Sequence, residues 1–352
     1  MALRDIEPFL NLSHQYSATI GQGYTAVLSG WNIPYLVYGG DTNSYARVTS
    51  LDLIDGWLVL SSIGSVSGNR CMAVGRPLQS AGINVDDNTV AFGGARLKFA
   101  RSIPRTVMTI QGAAAVEVIA STAIAGNFQL NTEYYVEWCI DMANSLFRAR
   151  VDGVEVAAVA LSAAVKNALK AGTNYLMWGT YNSGSSSALE LWLKDGYVLE
   201  KTPDGQMSGW LGPQTVKVLP VSEFNGPWAA SSGTPKDVLN TPTTSAADRL
   251  TPLVTTDVNA SEAILKFDAS QVTGFIKGIS LNVAMQKAPG KLGNLESSIT
   301  SAGVESSKSS ATAANAMAMY TRQLLSSKAP NGGAWTIESL AAATVKLKPV
   351  NS

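Results

Sequence analysis

Apolar and polar residues alternate with a period of two along several short stretches of this chain, most clearly from Tyr134 to Val156. Tyr134, Val136, Trp138, Ile140 and Met142 share one face of an extended strand, with Glu137 and Asp141 on the other. Asp152-Gly153 is the dipeptide of a two-residue hairpin turn, and Val154-Glu155-Val156 leads the chain back. Leu189 to Glu200 has the same form: Leu189, Leu191 and Leu193 alternate with Glu190, Trp192 and Lys194. Asp195-Gly196 is then expected to turn the chain into Tyr197-Val198-Leu199. One buried and one wet face per strand predicts an antiparallel sheet.

Further short strands are expected at Tyr45–Leu51, Gly56–Ser62, Arg105–Gln111 and Val116–Ser121, separated by Gly, Asn, Asp and Pro turns, which is the pattern of a β-sandwich. One helix is predicted at Ala160–Lys170, where Leu161, Val165 and Leu169 recur four apart and Gly172 follows as a stop. Residues 201–213 are dense in helix and strand breakers and are read as a linker between a domain at 1–200 and a second at 214–352. Strands are expected beyond it at Gln214–Leu219, Ala263–Phe267, Gly278–Gln286 and Thr344–Pro349, with a polar loop at Ser231–Thr244. Ser309–Ser326 fits either helix or strand, and the Ser/Thr runs near 297–311 read as exposed loops or edge strands.

Length agrees with two domains, since 352 residues exceed one ordinary core. Only 15% of residues are charged, against roughly 25% in an average soluble protein, so Ser, Thr, Asn and Gly must wet a neutral surface that packs readily against other proteins. Lys plus Arg equal Asp plus Glu at 26 each, with no basic cluster, so nucleic acid is not an expected partner. No stretch approaches the roughly 20 apolar residues of a membrane span. The first residues, Met-Ala-Leu-Arg-Asp-Ile-Glu-Pro, do not form a secretory signal, so cytoplasmic synthesis is expected. Cys71 and Cys139 match neither a disulfide framework nor a metal-ligand spacing and are expected as free thiols.

Candidate chemistry is sparse. Glu137 and Asp141 share a strand face, but four residues of strand separate them by about 13 Å, whereas a retaining glycosidase needs its carboxylates roughly 5 Å apart. They read as outward charges. His14 is the sole histidine, which excludes a histidine metal cluster and leaves a Ser-His-Asp set only one base. Asp86-Asp87-Asn88 and Asp41-Thr42-Asn43 carry oxygens that could bind Ca²⁺, although such turns also form for backbone reasons. Gly39-Gly40, Gly93-Gly94 and Gly332-Gly333 lack the strand-to-helix setting of a phosphate loop and read as turns. No catalytic, cofactor or metal residue is assigned. Of the eight tryptophans, Trp192 alternates opposite to its leucines and is the candidate contact surface for another domain, a neighbouring subunit or a glycan.

The Tyr-Val-Glu-Trp strand, the Asp-Gly hairpin and the closing Leu-Trp-Leu-Lys-Asp-Gly strand resemble the concanavalin A-like lectin/glucanase jelly roll. The second half is similar to a β domain that follows such a jelly roll in structural proteins of tailed bacteriophages. The motifs are Trp210-Leu211-Gly212-Pro213, Val216-Lys217-Val218-Leu219-Pro220, Trp228, the Gly233 turn and Gly333-Ala334-Trp335-Thr336. Asp237–Thr241 departs from that pattern, which calls for a more acidic segment. The resemblance implies a mainly β protein, a jelly-roll sandwich followed by a second β-rich domain. It further implies a non-enzymatic, multi-copy component of a phage virion at the tail, baseplate or collar. Its partners would be other virion proteins, copies of itself and, through Trp192, a glycan. The alternatives are a carbohydrate-binding adhesin that recognises the host surface and, behind it, a glycan hydrolase.

Overall fold

The computed structural model describes residues 2–7, 26–27, 36–38, 50–54, 57–61, 70–101, 103, 106–112, 116–120, 128–183, 190–202, 209–230, 232–240, 254–255, 261–285, 293–312 and 319–350. The protein is mainly β. It forms two compact units, one holding Met1–Ser29 and Ile33–Val216, the other Lys217–Ser352 together with 30–32.

The first unit is an antiparallel sandwich. One sheet runs in the order Val154–Ala160, Leu146–Val151, Glu133–Asp141, Val90–Phe99, Glu190–Glu200, Trp57–Ser61, Ser50–Ile54, and Ala2–Glu7 pairs with the end of Glu190–Glu200. The other runs Ala26–Val27, Leu36–Tyr38, Arg70–Arg76, Asn174–Ser183, Thr106–Gly112, Val116–Ala120. Trp138, Phe147, Leu97 and Phe99 of the first sheet are buried, as are Met108, Ile110, Leu176 and Trp178 of the second. Apolar alternation is what lets each sheet bury one face in this way.

Asp152-Gly153 forms the expected two-residue turn, with φ of 48° and 83°, between the paired Val151 and Val154. Asp195-Gly196 does not turn the chain. Glu190–Glu200 is one continuous strand, and its register against Val90–Phe99 slips between Lys194 and Tyr197, so that Asp195 and Gly196 together face Ala95 as a β-bulge. Asp195 adopts φ 56°, the left-handed conformation that Asp tolerates better than most residues. The extra residue reverses the alternation: Leu191 and Leu193 point to one face before it, whereas Tyr197 and Leu199 point to the other after it.

Gly93-Gly94 likewise lies inside a strand, not in a turn. A Cβ on Gly93 would stand 2.4 Å from Cζ2 of Trp138 and 2.8 Å from the Tyr197 carbonyl, so the strand must be bare there for the indole to fit. The predicted helix begins later than expected, at Ala163–Lys170, because the Ser162 hydroxyl accepts from the Val165 amide and caps it; Leu161 is buried just ahead.

In the second unit Val221–Asn225, Ala263–Phe267, Thr344–Val350 and Asn294–Ser301 form a sheet in that order, with Val304–Glu305 and Ser309–Thr312 pairing on the far side of Asn294–Ser301. Trp335, Leu265, Ile299, Val345 and Leu347 lie in its core. Ile279–Met285 pairs with Met319–Ser326, and thus the described ends of the ambiguous 309–326 segment are strand. Three expectations fail. The loop expected at Ser231–Thr244 holds a short helix, Pro235–Asn240. Gln214–Leu219 is not strand, and its Val218 is exposed. The serine-rich run is peripheral only in its later part, where Ser309–Thr312 is an edge strand; Ser297, Ser298 and Ser301 are buried within an interior strand. Ser298 Oγ donates to Glu305 and Ser301 Oγ to the Ser339 carbonyl, which satisfies hydroxyls that burial would otherwise strand.

Candidate functional site

Between Tyr134 and Ile140 neither face of the Glu133–Asp141 strand is wet. Tyr134, Val136, Trp138 and Ile140 are buried on one side, and Tyr135, Glu137 and Cys139 are buried on the other, with Glu137 only 1% exposed. This corrects the reading of Glu137 as an outward charge. Its cover is the segment Gly209–Val216, which lies over Phe92, Tyr135, Cys139, Tyr197 and Leu199. Trp210 stands edge-on to Phe92 at 5.1 Å, and the Arg150 guanidinium lies 4.3 Å from the Trp210 ring centre. Oε1 of Glu137 accepts from the Tyr197 hydroxyl at 2.5 Å and from the Gly212 amide at 2.9 Å. The Leu211 amide donates to the Tyr197 oxygen, and the Val216 amide to Oδ1 of Asp195. Asp195 also pairs with Arg96, which reaches the Gln214 carbonyl. Burial, reinforced by the Glu137 charge, pushes the hydroxyls of Tyr135 and Tyr197 far above the ordinary tyrosine value. Burial pushes the free Cys139 thiol up to about 12, which keeps it protonated and unreactive at neutral pH. Cys71 lies in the Arg70–Arg76 strand.

The other acids serve turns. Asp141 accepts from the amide and the side chain of Asn144. Asp86 accepts from the Asn88 amide and the Thr89 hydroxyl, which hold its carboxyl below the usual range, while Asp87 pairs with Lys166 and Lys170. Among the described residues no three His, Cys, Asp or Glu side chains converge as metal ligands. His14, Trp31, Gly39-Gly40 and Asp41-Thr42-Asn43 fall outside the described residues. In the second unit an open cleft of about 630 Å³ lies between Pro220–Ser222, Lys236, Asn240, Phe267–Ser270 and Ile337. Its one carboxylate, Asp268, accepts from the Ser270 amide.

Trp192 is half-buried on the same outer sheet face as Arg96 and Lys98. Its indole N–H donates to Glu190 at 2.8 Å, and its ring meets Trp57 edge-on at 6.2 Å. The Lys98 ammonium lies 3.7 Å from the Trp192 ring centre, and that of Lys194 lies 3.9 Å from the ring centre of Trp57. Alternation in Leu-Trp-Leu-Lys already places Lys194 on the face of Trp192. Lys98 and Trp57 become neighbours only through strand register.

No family model and no curated protein matches this chain. Among solved structures it is similar to the polysaccharide lyase family-7 alginate lyase A1-II′ (11% identity, 46% of this chain and 85% of that one, TM-score 0.29). It is also similar to an endo-acting O-glycanase of the human gut microbiota linked to mucin breakdown (10%, 48% and 92%, TM-score 0.31). A sialidase aligns over 48% of this chain but only 17% of its own (13% identity, TM-score 0.29). The neighbours reported are carbohydrate-active enzymes and nothing in them is phage-specific, which overturns the expectation of a phage-virion component. The sandwich is shared by enzymes and non-enzymes, and likenesses this distant carry no reaction over to this chain.

Proposed function

We propose that this protein acts on carbohydrate by recognition, not cleavage, and that Trp192 is its contact residue. The observation that carries this is the fixed indole of Trp192. A hydrogen bond to Glu190 and edge contact with the buried Trp57 hold it in place on the outer face of the sandwich, partly exposed to solvent. A rigid indole offers an apolar, electron-rich surface on which the C–H face of a pyranose packs at little entropic cost. What supports binding over hydrolysis is the state of the acids described above. Glu137 is buried and bonded beneath Gly209–Val216, and Asp141 braces a turn, so neither is poised as a general acid beside a second carboxylate.

The test is to incubate the full chain with a panel of neutral and acidic polysaccharides while following binding calorimetrically and products by new reducing ends and unsaturated-uronate absorbance. Saturable binding without products is the expected result. Turnover of any of these polysaccharides would overturn the reading.

A further inference from the structure

We propose that the Trp192 face binds an anionic saccharide, one bearing carboxylate or sulfate groups, with Lys98 and Lys194 as its charge partners; this rests on the recognition reading above. Cross-strand register sets Trp192 opposite Lys98 on one side and opposite Val59 on the other, and sets Lys194 opposite Arg96. The Lys98 ammonium lies 3.7 Å from the Trp192 ring centre and 5.0 Å from that of Trp57, and the Lys194 ammonium 3.9 Å from that of Trp57. Two positive charges therefore flank one pair of rings.

Their neighbours on this face are neutralised. Arg96 pairs with Asp195 and Glu133, and Arg101 pairs with Glu190. Among the described residues neither Lys98 nor Lys194 has a carboxylate at ion-pair distance. Two like charges that flank the same pair of rings repel each other, and the rings offset this only in part. An anion supplied from outside removes the repulsion, and the indole gives the sugar ring that carries it a surface to stack on. Lys98 sits on the Trp192 ring, so a saccharide that stacks on that face displaces the ammonium and draws it aside to its own anion. A nucleic acid also combines anion and ring, but two unpaired lysines in a chain with 26 cationic and 26 acidic residues fall short of the run of phosphate contacts that such binding requires.

The experiment is calorimetric titration of the full chain with a tetragalacturonate, a heparin-derived tetrasaccharide, cellotetraose and an oligothymidylate. An anionic tetrasaccharide is expected to bind roughly tenfold more tightly than cellotetraose and to weaken as salt rises. Whether the carboxylated or the sulfated probe binds better identifies the anion. Lys98→Gln and Lys194→Gln should each weaken binding about fivefold, and Trp192→Ala roughly tenfold or more, while Trp192→Phe, which keeps a ring, retains most of it. Equal binding of cellotetraose, or glutamine variants that bind as the parent does, would overturn the anion assignment and leave carbohydrate recognition standing. Tighter binding of the oligothymidylate through the same residues would overturn the saccharide. Failure of every saccharide to bind would overturn both proposals. Released products, with binding still lost in the lysine variants, would support this face and overturn recognition without cleavage.

Discussion

The Tyr197 hydroxyl donates to Oε1 of Glu137 at 2.5 Å, joining two buried side chains 60 residues apart in sequence. The same carboxylate oxygen accepts from the Gly212 amide, so this pair anchors the Gly209–Val216 segment to the sheet. Glu137→Ala would leave the hydroxyl and the amide buried without an acceptor, and should cost about 2–4 kcal/mol. Glu137→Gln keeps an acceptor oxygen and should cost about half as much. The urea-unfolding midpoints of the two variants check this order.

Gly93 faces Trp138 so closely that no side chain fits between them. Gly93→Ala should destabilise the sandwich by about 2 kcal/mol or more through overpacking. The double variant Gly93→Ala/Trp138→Phe should be less damaged than the sum of its parts, because the smaller ring gives the methyl group room. A double-mutant cycle in urea measures that coupling, and simple additivity would contradict the contact.

Asp195 joins the bulge to the overlying segment, since its carboxylate accepts from the Val216 amide and pairs with Arg96. Asp195→Asn keeps an acceptor and tolerates the left-handed conformation, and should change stability by about 1 kcal/mol or less. Asp195→Gly relieves the backbone but removes both bonds, so the segment should loosen. The expected signs are faster proteolytic cutting near Gly209–Val216 and a red-shifted Trp210 emission, with little change at other sites.

Alkaline pH should unfold the first unit by a definite route. Cys139, Tyr135 and Tyr197 all have folded pKa values raised above their ordinary values of 9.0, 10.0 and 10.0, with burial as the largest cause. A raised acid favours the folded state fully below its unfolded pKa, and that contribution disappears as pH climbs from the unfolded toward the folded value. The melting temperature should therefore be insensitive to these groups at neutral pH and fall once the pH passes about 9. Tyr197→Phe should flatten the part of the fall that begins near pH 10. An unchanged alkaline limb would show that Tyr197 does not contribute.

The local periodicity of this sequence was enough to find the strands at Glu133–Asp141, Leu146–Val151, Ala263–Phe267 and Thr344–Val350, the Asp152-Gly153 turn and the helix ending at Lys170. Those features depend on alternation, turn residues and caps, which a stretch of ten residues carries by itself. Three other features depend on what lies across the sheet. Asp195-Gly196 has the residues of a hairpin turn, yet it bulges because the Val90–Phe99 strand runs on beside it and pairs with both halves. Gly93-Gly94 has the composition of a turn, yet it stays extended because it pairs with Glu137 and Trp138 on one side and with Tyr197 and Val198 on the other. Glu137 alternates with apolar residues like any solvent-facing charge, yet it is buried because Gly209–Val216 supplies the amide, and Tyr197 the hydroxyl, that replace water around it.

The candidate site divides in the same way. Alternation alone put Trp192 opposite the leucines of its strand, with Lys194 on the same face. Lys98 and Trp57 come from distant parts of the chain and join it only when register brings the strands together. By itself the sequence determined which residues can form strands and which of them carry chemistry, since both are properties of neighbouring side chains. Only the tertiary structure decided which face of each strand is covered and which charges find partners, because burial and pairing are contacts between segments that no local pattern encodes.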